Sequence, residues 1–443
     1  VSRASILGTL GLSGFNIQGT VLVSRGSTAQ PTFSAAPVTS GVSNLNFDRS
    51  GPLTRIASNA STGVVTLSAV PSLTDLQAAD WTDGSNISNW GTLQSYLSAV
   101  AYSNRNISAS AVYYENFGSA PGTNALIGAC LAPNGVVYFI PHDATVGYKI
   151  NPASNSVGTY SLGPAGFTAG AAKNCCGVLA PNGRIYFIPG AATPSPGYLN
   201  PENDVCTTFG NLSLPVGTNK WYGGVLAPNG LIYCAPHISQ QLLIINPNNN
   251  TLTTLNNYPG AGTWPGSQSF TGAVLAPNGR IYMMGLNNRI ANVNPNDNTV
   301  TTYDSNGAYA GGVVAPNGKI YFMPYTATSF LMLDPSDDSR THFGTCTGSL
   351  QYEGGVLAPN GKIYAISLSA SIGRIIDPSN NTVTTITGGG FIGAARAYSG
   401  AVIAPNNKIY FTPYDATSFL CLNVPANNNF NMNVLTNPFF NKY

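Results

Sequence analysis

The phrase Ala-Pro-Asn-Gly, followed by a short apolar and aromatic run, recurs along most of this chain and dictates a repeat architecture. It begins at Ala132, Ala180, Ala227, Ala276, Ala315 and Ala358, and returns as Ala-Pro-Asn-Asn at Ala404, at intervals of 48, 47, 49, 39, 43 and 46 residues. A period of that length, with no 3.6-residue apolar pattern inside it, excludes a helical solenoid and fits four short strands per unit, the blade of a β-propeller. A β-helix is the competing repeat fold, but its rungs are usually shorter than this period.

The sixth unit can be read strand by strand. Gly354–Leu357 is a small-residue strand, Lys362–Ile366 alternates and carries an aromatic, Arg374–Ile376 ends in Asp377-Pro378, and Thr382–Thr385 is β-branched as strands prefer. The turns explain themselves. Proline presets φ for the second position of a type I turn, Asn follows, and Gly takes the left-handed position that closes the hairpin; Asn407 stands in for that Gly in the last unit. Asn151, Asn200, Asn246, Asn294, Asp334 and Asp377 each precede Pro and mark the third hairpin, while unit seven departs with Val424 before Pro425. Gly pairs near Gly223, Gly272, Gly311 and Gly354 place small residues where inner strands crowd around an axis. The expected fold is all-β: a seven-bladed β-propeller over residues 125–443, behind a mainly β N-terminal region with one or two short helices. Each blade is expected to be complete, the first with its own inner strand near Gly128 and the last with its own outer strand from Asn429–Leu435. No strand is expected to be borrowed from the start of the chain.

No repeat phrase precedes Ala132, so the front of the chain is a separate region: 1–70 a β-rich anchor, 71–124 a short helical segment and linker. Trp90, Leu93, Leu97 and Val100 fall at helical spacing, and Ser72–Asp75 has the form of a capping box. Only 8% of residues are charged, against roughly 25% in an average domain. The net charge is +2 with no basic block, which argues against a nucleic-acid partner, and no apolar run approaches a membrane span. The chain starts with Val1 and has no readable signal peptide. Cys130, Cys234 and Cys421 stand where other units carry Val, Phe or Met, so they read as small buried hydrophobes; Cys175 and Cys176 are adjacent, which suits neither an ordinary disulfide nor a zinc knuckle.

Chemistry-bearing residues are sparse. His142 and His237 follow Pro in the second hairpin of units one and three, and Tyr325 and Tyr414 hold the corresponding positions in units five and seven. A position that accepts His or Tyr suggests packing or contact, not metal binding. The inner strands read as Gly, Ala, Val and Leu, without the axial carboxylates that metal-dependent propeller lactonases and glycosidases keep. Asp143 and Asp415 do not recur across units and read as loop caps. The expectation is therefore no catalysis, no metal and no cofactor.

Compared with one another, the units are nearly constant in their first and third hairpins and variable in the second hairpin and in the link from fourth to first strand. In a four-stranded blade these two sets lie on opposite faces, so one face reads as structural and the other as a recognition surface. Units two to four have the longest variable connections and contain Trp221, Tyr222, Tyr258 and Trp264, candidate anchors for a sugar or protein.

The segment Gly19-Thr20-Val21-Leu22-Val23-Ser24-Arg25-Gly26-Ser27-Thr28-Ala29-Gln30-Pro31-Thr32-Phe33 resembles short β-segments of bacteriophage tail fibre and spike proteins. That resemblance implies a virion-surface or extracellular structural protein, a fibre, spike or capsid decoration subunit. Residues 1–124 would contact other subunits of a homo-oligomer or larger assembly, and the propeller would meet a host glycan or surface protein. The alternatives are a secreted protein that polymerises into an extracellular filament and, from another class, a propeller hydrolase or lactonase.

Overall fold

The computed structural model describes residues 112–424 apart from short loop stretches (164–171, 192–195, 211–213, 215–216, 260–261, 267–268, 347–350, 370–371 and 387–395), together with the backbone of four strands nearer the N-terminus. Two compact units divide at Arg105 and Asn106. In the first, β1 (Val21–Val23), β2 (Thr32–Ala35), β3 (Thr54–Asn59) and β4 (Val64–Ala69) form an antiparallel sheet in the order β1-β2-β4-β3. The helix expected around Trp90 to Val100, and the capping box before it, lie outside the described residues.

The second unit is a seven-bladed propeller of four-stranded antiparallel sheets. After β5 (Tyr113–Ser119), the first blade runs outward from the axis as β6 (Leu126–Leu131), β7 (Val137–Pro141), β8 (Gly147–Asn151) and β9 (Ser156–Tyr160). The innermost strands of blades two to seven are Asn174–Leu179, Trp221–Leu226, Phe270–Leu275, Tyr309–Val314, Tyr352–Leu357 and Tyr398–Ile403. Among the described residues no helix is long and apolar enough to cross a membrane. All seven cysteines are buried as small core residues, and none is in a disulfide.

One expectation is corrected. The seventh blade is not self-sufficient: its order is Tyr398–Ile403, Lys408–Pro413, Ser418–Asn423 and then β5. β5 pairs antiparallel with Ser418–Asn423, Tyr113 opposite Asn423 and Ser119 opposite Ser418. Tyr114 is buried in the core shared by blades six and seven, and the Lys408 ammonium lies 2.7 Å from the Glu115 carboxylate. The propeller therefore begins at Tyr113, and a boundary at 125 would cut off its closing strand. The proposed outer strand at Asn429–Leu435 lies outside the described residues. The reason is physical: the repeated phrases encode hairpins, and a strand delivered from the other end of the chain needs neither the first nor the third hairpin. Val424-Pro425, the one unit without Asn-Pro or Asp-Pro, was the trace of this closure.

The constancy of the first and third hairpins has a direct cause. In blade one Asn134 Nδ2 donates to the Pro201 carbonyl of blade two at 2.8 Å, and the Tyr138 hydroxyl donates to Asp204 at 2.8 Å. The same latch joins Asn182 and Tyr186 to Pro247 and Asn250, and Asn229 and Tyr233 to Pro295 and Asn298. It continues through Asn278 and Tyr282 to Pro335 and Asp338, and through Asn317 and Tyr321 to Pro378 and Asn381. Asn406 and Tyr410 of blade seven reach Pro152 and Asn155 of blade one. Each accepting Asn or Asp sits at φ between 53° and 59°, the left-handed position that closes its own hairpin. One short motif thus makes the turn, caps the next turn and satisfies a buried tyrosine hydroxyl, each hydrogen bond worth about 1 kcal/mol net. Asn360 Nδ2 of blade six donates only to its own Tyr364 hydroxyl among the described residues, because the outer strand of blade seven is β5 and not the return of a third hairpin.

Every innermost strand carries a bulge after its first or second residue, with a positive φ at the third: Gly128, Cys176, Gly223, Gly272, Gly311, Gly354 and Gly400. The glycine pairs lie inside these strands. The reason for glycine is clearest at Gly400, where φ is 92° and a Cβ would stand 2.8 Å from the Gly128 Cα. Gly400→Ala is expected to cost about 3 kcal/mol from backbone strain and overpacking, measured by denaturant unfolding. Cys176, at φ 106°, is the single non-glycine residue in this column.

Candidate ligand site at the axial mouth

The bulge turns the second residue of each innermost strand toward the axis. That column reads Ile127, Cys175, Tyr222, Thr271, Ala310, Glu353 and Ser399. The Tyr222 hydroxyl donates to Glu353 Oε1 at 2.5 Å. These residues belong to blades three and six, which are not neighbours in the ring, so the bond crosses the central channel. The expectation that the inner strands hold no carboxylate is therefore corrected: Glu353 is 5% exposed and sits at the axis.

The loops on the variable face gather above this bridge. The first loop residue after each second strand includes His142, His237, Tyr325 and Tyr414, so all four sequence candidates occupy equivalent places around the mouth. His237 packs against Tyr222 with ring centroids 5.2 Å apart, and His142 against Tyr414 at 5.7 Å. Arg396 lies 4.5 Å over the Tyr414 ring and donates to its hydroxyl at 2.8 Å. The Glu353 charge acts on Tyr222, Tyr325, Tyr414 and Cys175, residues of four other blades.

Backbone hydrogen bonds hold this rim. His142 N donates to Ala125 O within blade one, and Lys173 N of blade two donates back to His142 O at 3.1 Å. The corresponding link between blades recurs as Lys220 to Gly190, Ser269 to His237, Gln351 to Tyr325, Ala397 to Leu368 and Ala125 to Tyr414. Asp143 and Asp415 are loop caps, as expected: they accept from the backbone N–H of Ala172 and Asn124 at 2.6 and 2.7 Å. His142 Nδ1 lies 3.2 Å from the Asn124 carbonyl and 3.0 Å from the Asp143 carboxylate, and His237 Nδ1 lies 3.2 Å from the Phe270 carbonyl. With Nδ1 donating, each neutral ring keeps Nε2 as an acceptor.

Burial sets the protonation states. It holds both histidines below the ordinary imidazole value, with Asp143 opposing it at His142 and the Phe270 carbonyl at His237. It raises the Glu353 pKa, against the hydrogen bond from Tyr222, the hydroxyl of Ser399 and the charge of Arg396. Burial and Glu353 push Tyr222 well above its ordinary value, and burial pushes Tyr414 up to about 12. A carboxyl whose folded pKa is raised contributes stability that is fully present below its unfolded value and lost as pH rises through the folded one. Glu353→Gln, which keeps an acceptor for Tyr222, is therefore expected to raise the melting temperature at pH 8 relative to the parent. The gain should shrink as pH falls toward 4, as read by thermal melts across that range.

The other aromatic candidates lie elsewhere. Trp221 and Trp264 are fully buried. Trp221 Nε1 donates to the Gln241 carbonyl at 2.8 Å, and Trp264 Nε1 to Asn257 Oδ1 at 3.1 Å. Tyr258, half-buried, packs on Trp264 with centroids 5.2 Å apart. These rings support a cleft of about 380 Å³ beside blade three, lined by Lys220, Ser239, Gln240, Gln241, Asn256 and Thr263. Trp221 and Trp264 support that wall from behind, whereas Tyr222 belongs to the axis.

Among the described residues no group of three or more His, Cys, Asp or Glu side chains could hold a metal ion. No protein-family model matches the chain, and no curated protein matches it. Solved structures do. The chain is similar to virginiamycin B lyase from Staphylococcus aureus at 15% identity and a TM-score of 0.58, over 71% of this chain and 99% of that one. A streptogramin B lyase gives 16% identity and a TM-score of 0.58, over 70% and 97%. The extracellular domain of a hybrid two-component system from B. thetaiotaomicron gives 12% identity and a TM-score of 0.54, over 71% of this chain and 42% of that one. At these identities the likeness is one of fold.

Proposed function

We propose that this chain is a virion-associated or extracellular structural protein, a fibre, spike or decoration subunit. Its first 105 residues attach it to an assembly, and its propeller recognises a host glycan or surface protein. The observation that carries this reading is the contrast between the two faces of the ring. One face repeats a single latch from blade to blade, while the other brings different polar and aromatic side chains to a common mouth and a neighbouring cleft. A scaffold held constant on one side and varied on the other is the arrangement of a binding module. The low charge, the uncharged polar surface and the fibre-like segment at Gly19–Phe33 favour display outside a cell.

Recognition here proceeds without turnover. The fold shared with virginiamycin B lyase does not extend to its reaction, and incubation of the purified chain with virginiamycin B is expected to leave that compound intact. The decisive test is binding of the purified, fluorescently labelled chain to candidate host cells, with and without prior glycosidase or protease treatment. Saturable binding abolished by one of the two treatments is the expected result. Absence of saturable binding to any cell would overturn the reading.

A further inference from the structure

The side chains gathered at the axial mouth have a chemistry that complements one kind of ligand. The Tyr222–Glu353 hydrogen bond joins blades three and six across the channel. Thr271 shares the register of Tyr222 and Glu353, is 4% exposed, and its Oγ1 has no hydrogen-bond partner among the described residues. Buried hydroxyls are almost always bonded, so this one points to a group that arrives from the channel. Tyr325 and Tyr414 hold equivalent rim positions, each the first residue after the second strand of its blade, and the Arg396 guanidinium rests on the second of these.

The charges around the mouth offset one another. The Arg396 charge acts on Glu353, and the Asp143 charge acts on Lys173. Asp143 caps Ala172 and contacts His142, Asp415 caps Asn124, and Lys173 donates to the Asp143 carbonyl. An anion would meet the carboxyls, and a cation would meet Arg396, already seated on the aromatic it would want. What remains is a set of hydroxyl donors and acceptors, one carboxyl and flat ring faces, which complements hydroxyl groups and C–H faces on a neutral ligand.

We propose that the axial mouth seats one neutral sugar residue of the recognised glycan, held by Thr271, Glu353 and Tyr325. This rests on the recognition reading above and narrows it to glycan over protein, and to the axis over the cleft beside blade three.

The test uses the full chain on an array of immobilised neutral and sialylated oligosaccharides. Calorimetric titration of a bound oligosaccharide follows, against the parent, Thr271→Val, Tyr325→Phe, Tyr325→Ala and Gln240→Ala. Binding of neutral oligosaccharides is expected, weakened about tenfold or more by Thr271→Val and Tyr325→Ala at unchanged melting temperature, and within about twofold of the parent for Gln240→Ala. Tyr325→Phe keeps the ring and the fold, so it still reports on the hydroxyl if the alanine variant fails to fold. Loss of binding with Gln240→Ala alone would move the site to the cleft and overturn the proposal while leaving recognition in place. Binding restricted to sialylated oligosaccharides, or cell binding sensitive only to protease, would overturn it in the same way. An array without any bound glycan, together with absent cell binding, would remove both readings.

Discussion

Deleting residues 1–119 is expected to prevent the propeller from forming a stable ring, whereas deleting residues 1–105 leaves it closed. The longer deletion removes β5 and with it the ladder to Ser418–Asn423, the buried Tyr114 and the Glu115–Lys408 ion pair. Loss of one buried aromatic costs about 3–5 kcal/mol, and each ladder hydrogen bond about 1 kcal/mol more. The sum is a large share of the 5–15 kcal/mol by which domains are typically stable. It also leaves the outer edge of Ser418–Asn423 unpaired, a template for association with other chains. Circular dichroism melts and size-exclusion chromatography of the two truncations would separate them. A cooperative, monomeric 120–443 fragment would refute the closure. Tyr114→Ala in the full chain offers a point test, with an expected loss of about 3–5 kcal/mol.

Trp221→Ala is expected to destabilise the propeller by a comparable amount, about 3–5 kcal/mol. The indole is fully buried and its N–H is bonded to the Gln241 carbonyl, so truncation leaves both a cavity and an unsatisfied acceptor. Trp264→Ala should behave similarly, since its ring packs edge-on against Phe270 and its N–H is bonded to Asn257. Both variants should lower the melting temperature in proportion. A variant with unchanged stability and lost cell binding would instead return Trp221 to the recognition surface.

These cases also mark what the amino-acid order makes legible. Ala-Pro-Asn-Gly and the Asn-Pro hairpins are local phrases, and the propeller and its seven units follow from them directly. The strand boundaries of unit six fall within two residues of those observed. β5 is not local: Tyr-Tyr-Glu-Asn-Phe-Gly-Ser has no turn phrase and finds its partner about 300 residues away. Glu353 was missed because the inner strands were read as a class of small residues. Aligned on their bulges, they show a second column that varies among Ile, Cys, Tyr, Thr, Ala, Glu and Ser, and that variation was the available signal. The first column reads Leu126, Asn174, Trp221, Phe270, Tyr309, Tyr352 and Tyr398, which already places Trp221 among the buried rings of its neighbours. Aromatic identity alone carries no direction; register does.

The direction of β5 sets how the ring answers to mechanical load. Tyr113 pairs with Asn423, at the end of the third strand, so β5 begins at the latched face, opposite the axial mouth. Tension applied between residue 112 and the mouth pulls β5 lengthwise along its partner. The ladder is then loaded in shear, all its hydrogen bonds sharing the strain at once, where a pull across the strand would peel them one by one. Force spectroscopy with handles at residue 112 and at a rim loop should therefore give a higher rupture force than handles at residues 112 and 424, which would unzip the same strand from its end.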